Sequence, residues 1–112
     1  MATTVYKRLG ATSVVSSVDT LGYMVSGSNS SVISSIVVCN TGTTTAQFRV
    51  AICPSSISAV VLADFVYYNV AIEPYDTFIA TVGFTMSAGN QVLVRADSSN
   101  VVFSLFGSEV VP

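Results

Sequence analysis

The sequence predicts an all-β protein: a single antiparallel β-sandwich, jelly-roll-like or Ig-like, of about seven to nine short strands. Three observations carry this. Twenty valines, six phenylalanines and five tyrosines stand beside 28 serines and threonines, the composition of strands that pack β-branched and aromatic side chains on a pleated surface. Apolar residues recur at a period of two in one segment after another. Turn-forming clusters of Gly, Pro, Asn, Asp and Ser separate those segments at short intervals.

Taken in chain order, residues 1–10 read as an N-terminal arm or first edge strand, and residues 11–112 as the sandwich domain. Leu21, Tyr23 and Val25 give the first clear alternation. Val32 to Cys39 is apolar on both faces, which suits either a central strand or one whose second face meets another subunit. The strongest pattern is Ala46 to Pro54, where Phe48, Val50 and Ile52 point one way and Gln47, Arg49 and Ala51 the other. Ser56 to Asp64 has room for a short turn of helix, and Phe65 to Ile72 is again apolar on both faces. Alternation returns at Phe78, Ala80, Val82 and Phe84, at Val92, Val94 and Ala96, and at Val101, Phe103 and Leu105. The turns between are Gly27-Ser28-Asn29-Ser30, Asn40-Thr41-Gly42, Glu73-Pro74-Tyr75-Asp76, Ser87-Ala88-Gly89-Asn90 and Asp97-Ser98-Ser99-Asn100. If Val32 to Asn40 and Ala46 to Cys53 form a hairpin closed near Gly42, Cys39 and Cys53 lie roughly 20 Å apart at about 3.3 Å per residue. In that pairing the spacing argues against an internal disulfide and favours two small buried thiols, with a bond between subunits as the alternative.

The charge deficit bounds the function. Of 112 residues, 51% are hydrophobic and only 9% charged, against roughly 25% charged in an ordinary soluble domain. A domain of this size buries about two thirds of the surface its unfolded chain exposes, so apolar area stays outside an isolated monomer and invites a protein partner. No apolar run approaches the roughly 18 residues of a spanning helix, so no membrane is expected as partner. Residues 1–8 lack the apolar core of a secretory signal, which implies synthesis in a cytoplasm. Net charge is −2, with Lys7, Arg8, Arg49 and Arg95 the only cations, and that gives no footprint for a phosphate backbone; no nucleic-acid partner is expected.

The chemistry that the residues exclude is equally informative. The chain has no histidine, which removes the commonest general base and rules out Ser-His and Cys-His nucleophiles. Two cysteines cannot make a structural zinc site alone, and the carboxylates Asp19, Asp64, Glu73, Asp76, Asp97 and Glu109 show no calcium-loop spacing. Glu73 and Asp76 flank Pro74 in a turn that Asp76 caps with its own side chain. Asn29-Ser30-Ser31 matches a glycosylation acceptor and reads as an ordinary polar turn. No catalytic, cofactor-binding or metal-ligating residue is expected, and the chain is read as not an enzyme. The candidates that remain are partner-interface residues. Val5, Tyr6, Lys7 and Arg8 mix β-branched, aromatic and cationic types ahead of the first glycine, as an added edge strand or an ordinary first strand does. Tyr67 and Tyr68 face opposite ways on a strand, so one enters the core and the other is an interface or plain surface tyrosine.

Three strings, Tyr6-Lys7-Arg8-Leu9-Gly10-Ala11, Ser35-Ile36-Val37-Val38-Cys39-Asn40 with the Gly/Thr turn and Phe48-Arg49-Val50-Ala51 that follow, and Phe103-Ser104-Leu105-Phe106-Gly107-Ser108-Glu109, resemble small virion structural proteins of tailed bacteriophages, especially marine phages and cyanophages. Val14 to Met24 departs from that pattern. The resemblance implies a β-sandwich subunit of the virion, displayed on capsid, neck or tail, with the major capsid protein or other virion proteins as partners and no catalytic residues. A capsid decoration or cement subunit assembling as a homo-oligomer, with a trimer at local threefold positions as the economical arrangement, is the leading expectation. A neck or tail surface protein, or a receptor- or carbohydrate-binding module, is the alternative.

Overall fold

Period-two patterning resolves into eight strands in the computed structural model, which describes residues 2–112: β1 (Thr3–Ser13), β2 (Thr20–Met24), β3 (Ser30–Asn40), β4 (Ala46–Cys53), β5 (Phe65–Ile72), β6 (Thr77–Met86), β7 (Gln91–Ala96) and β8 (Val101–Val111). Between β4 and β5 the chain makes two single turns of 3₁₀ helix, Ile57–Ala59 and Leu62–Asp64. Residue 1 of the arm expected over residues 1–10 lies outside the described residues. Residues 3–13 form one edge strand that runs through the boundary drawn at Gly10.

All pairings are antiparallel, and they build two four-stranded sheets: a front sheet in the order β1-β8-β3-β6 and a back sheet in the order β2-β7-β4-β5. Most successive strands go to opposite sheets, as in a jelly roll of two interlocked Greek keys. An Ig-like order would place β1 beside β2, and here β1 pairs only with β8. Of the two architectures the sequence allowed, the topology is therefore the jelly roll.

Inward residues of both sheets fill one core. Ile36, Val38, Phe103 and Leu105 come from the front sheet, and Phe48, Val50, Val92 and Val94 from the back sheet. Phe48 is its centre, with ring centroids 5.2 Å from Phe78, 6.1 Å from Phe103 and 6.4 Å from Tyr67. A second, small cluster lies on the outer side of the back sheet, where Ala51, Cys53 and Leu93 are covered by Ile57, Val60 and Phe65. The 3₁₀ segment thus acts as a flap that shields part of that face.

The hairpin expected between Val32 to Asn40 and Ala46 to Cys53 does not exist. β3 belongs to the front sheet and β4 to the back sheet, because residues 41–45 cross the sandwich instead of closing a turn. Buried Asn40 holds that crossing: its Nδ2 donates to Thr44 O at 2.9 Å and Ile72 O at 3.1 Å, and its Oδ1 accepts from Gly42 N–H at 3.0 Å. Cys39, opposite Val102 and Thr77, is on the outer side of the front sheet, while Cys53 is on the outer side of the back sheet. Both thiols are free, and the reason is their opposite sheets rather than the distance along a hairpin.

Candidate functional site

β1 is an edge strand whose first half stands clear of the core, since residues 3–8 are all exposed. Residues opposite one another in a ladder share a face. Val5 lies opposite Glu109 and Lys7 opposite Gly107, on the inward side; Tyr6 lies opposite Ser108 and Arg8 opposite Phe106, on the outward side. The two halves of the predicted interface quartet therefore look in opposite directions. Lys7 Nζ pairs with Glu109 at 2.6 Å. That hydrogen bond and its charge hold the Glu109 carboxyl below the usual carboxylate range against the opposing effect of burial, and raise the Lys7 ammonium above the ordinary lysine value. Tyr23 Oη and Ser31 Oγ, 2.6 Å apart, complete this polar end of the sandwich.

The outward side of the front sheet is a different surface. It presents Tyr6, 82% exposed, Ile79, 67% exposed, and Phe106, 38% exposed, around the half-buried Val32, Val37, Val102 and Val110. Serines and threonines, including Thr4, Ser35, Thr81, Thr85 and Ser104, occupy the positions between them. Among the described residues, Arg8 is the one charged side chain on this face, and β1 and β6 are the edge strands of the sheet.

The back sheet carries a second candidate, a polar pocket of about 140 Å³ lined by Ser17, Gln47, Arg49, Asn69, Arg95, Ala96 and Asp97. Its geometry begins with a β-bulge. Val50 pairs with Tyr67 and Phe48 with Val70, so Tyr68 and Asn69 together oppose Arg49. Tyr67 and Val70 accordingly pack on the core, while Tyr68 and Asn69 both turn outward. The bulge closes on Arg49: its Nε donates to Asn69 Oδ1 at 2.7 Å, and its guanidinium lies 4.1 Å from the Tyr68 ring centroid. Arg95 stands directly opposite Arg49 in the β4-β7 ladder and is tied to Asp19 at 3.0 Å. Asp97 Oδ1 accepts from Gln47 N–H at 2.9 Å and Asp97 N–H donates to Gln47 O at 3.1 Å, while Ser17 N–H donates to Ala96 O at 2.7 Å.

The six predicted interface residues are thus divided. Tyr6 and Arg8 lie on the outer front face, Val5 and Lys7 on its inward overhang, Tyr67 in the core and Tyr68 beside the back-sheet pocket. The Arg49-Arg95 pair was not foreseen. Its signal was present in part, because both arginines sit on the polar side of alternating strands, but only the register makes them neighbours. Among the described residues, no three Cys, Asp or Glu side chains gather as metal ligands. Among the described residues, no helix is long and apolar enough to cross a membrane.

No protein-family model and no curated protein matches the chain. Among solved structures, a chain of the T13 viral particle of IBDV is similar over 98% of this chain at 10% identity and a TM-score of 0.56. An exo-beta-1,3-galactanase of Phanerochaete chrysosporium, solved with galactose, aligns over 99% of this chain at 14% identity and a TM-score of only 0.35. The chain spans 30% and 29% of those two chains. What the first likeness shows is the fold, an all-β sandwich of eight antiparallel strands shared with a viral particle protein.

Proposed function

We propose that this chain is a non-enzymatic structural subunit of a virus particle, and within that class a capsid decoration or cement subunit that stabilises the particle through protein–protein contacts. The observation that carries the reading is the outer front face: apolar and hydroxyl-bearing, with Tyr6, Ile79 and Phe106 exposed and Arg8 as its single charge among the described residues. Such a surface is poorly solvated alone and is stabilised when another subunit covers it. Jelly rolls are used in capsids, and the fold likeness to a viral particle protein supports the same class. Fold alone does not assign function. The bacteriophage assignment rests on the resemblance of the three quoted strings.

The partners in this reading are the major capsid protein or a neighbouring virion protein, together with further copies of the chain, for which a trimer closes the symmetry with one kind of interface. Light scattering on the purified chain, followed by co-sedimentation with undecorated capsids, tests it. A defined oligomer that saturates capsids supports decoration. A protein that binds tails or necks instead moves the reading to those sites, and a strict monomer that binds no virion component overturns it.

A further inference from the structure

Arg49 and Arg95 face each other across the ladder, roughly 5 Å apart at Cβ, an arrangement that costs stability for like charges. They are two of the four cations in the whole chain, so their adjacency is not the by-product of a basic surface. Asp19 neutralises Arg95. Among the described residues Arg49 pairs with no carboxylate, and its hydrogen bond there is the Nε contact to Asn69, so its Nη donors are unspent on a residue that lines the pocket. Backbone strain converges on the same place. Of the three non-glycine residues with left-handed backbone among the described residues, Ser17 at φ 60° and Asn69 at φ 52° both line the pocket, and such strain is held at binding sites more often than elsewhere. The bulge that creates the Asn69 conformation is itself a device for re-aiming side chains beside a site.

From these features we infer that the pocket is a binding site for an acidic sugar, a ring bearing one carboxylate and several hydroxyls. The free edge of the Arg49 guanidinium takes the carboxylate in a bidentate pair, with Arg95 beside it. Asp97 decides against a bare carboxylate: its second oxygen has no protein partner among the described residues and would repel an anion, yet it accepts readily from a hydroxyl. Gln47, Asn69 and Ser17, which line the pocket, supply further hydroxyl partners, and the Tyr68 ring backs the Arg49 guanidinium. A volume of about 140 Å³ suits one small ring rather than a drug-sized ligand. Nothing in this inference depends on the virion reading.

The test is titration of the isotope-labelled full chain with glucuronate, glucose and acetate in parallel, followed by amide shifts in solution NMR. Glucuronate is expected to shift the amides of Arg49, Asn69, Arg95 and Asp97 saturably in the millimolar range, with glucose and acetate at least roughly tenfold weaker because each lacks one half of the contacts. Arg49→Gln is expected to weaken glucuronate by a similar factor while leaving the thermal midpoint unchanged or raised, since it relieves the like-charge pair; a merely structural arginine would lower it. No shift with glucuronate, equal shifts with acetate or glucose, or undiminished binding by Arg49→Gln each overturns the inference.

Discussion

Gly107 marks the closest approach of β8 to β3. A Cβ added there would overlap the Val32 carbonyl oxygen and crowd Ile33, in the middle of a ladder that cannot move aside without breaking its own hydrogen bonds. Gly107→Ala is therefore expected to destabilise the fold by about 1–3 kcal/mol, the usual cost of overpacking, read as a lowered midpoint in urea. Gly10 meets the same constraint against the Gly22 carbonyl, where the two sheets come together at one corner. Lys7 and Glu109 contribute a pH response at this scale. The Glu109 carboxyl titrates lower in the folded chain than in the unfolded one, so its contribution is complete above the ordinary carboxylate range and is lost as pH falls through its folded value. The Lys7 ammonium titrates higher when folded, so its contribution holds below the ordinary lysine range and is lost as pH rises through its folded value. Urea midpoints measured from neutral to acid pH should fall less steeply in Glu109→Gln than in the parent chain.

Among the elements, β5 shows how one extra residue changes what a strand presents. Period two, read from the sequence, puts Tyr67 and Tyr68 on opposite sides, and they are. It also puts Asn69 on the side of Tyr67, and the bulge reverses that by turning Asn69 outward to Arg49. Asparagine tolerates the left-handed backbone there, whereas a β-branched residue does not. Asn69→Val is expected to cost about 1–3 kcal/mol by thermal unfolding, and Asn69→Gly to keep the strand while releasing Arg49 from its acceptor. β3 and β4 teach the converse lesson. Each was legible as a strand, but their partnership was not, because a short connection is as compatible with crossing between sheets as with closing a hairpin. Burial pushes the Cys53 thiol up; both Cys39 and Cys53 are free, so reducing agent should leave the thermal midpoint unchanged.

On the scale of the whole molecule, measuring 48 × 27 × 19 Å, two outer faces have opposite characters. The front face is broad and nearly uncharged; the back face is divided between the 3₁₀ flap and the arginine pocket. Ile79→Asp places a charge on the front face at an exposed edge position, far from the core. It should leave the unfolding free energy within about 0.5 kcal/mol of the parent but abolish co-sedimentation with capsids and any oligomer formed through this face. Retained assembly in that variant would move the interface to β1 or to the other sheet.

Local pattern alone determined the all-β class, the number of strands to within one or two, the core residues Phe48, Val50, Phe103 and Leu105, and the absence of histidine-based chemistry. Those are consequences of side-chain period and composition, which each segment carries by itself. Tertiary structure alone decided the jelly-roll order over the Ig-like one, the separation of Cys39 from Cys53 onto opposite sheets, the turning of Lys7 onto Glu109, and the meeting of Arg49 with Arg95. Each depends on which strand lies beside which and in what register. Register is fixed by burial summed over the whole sandwich, and no single stretch of chain contains that sum.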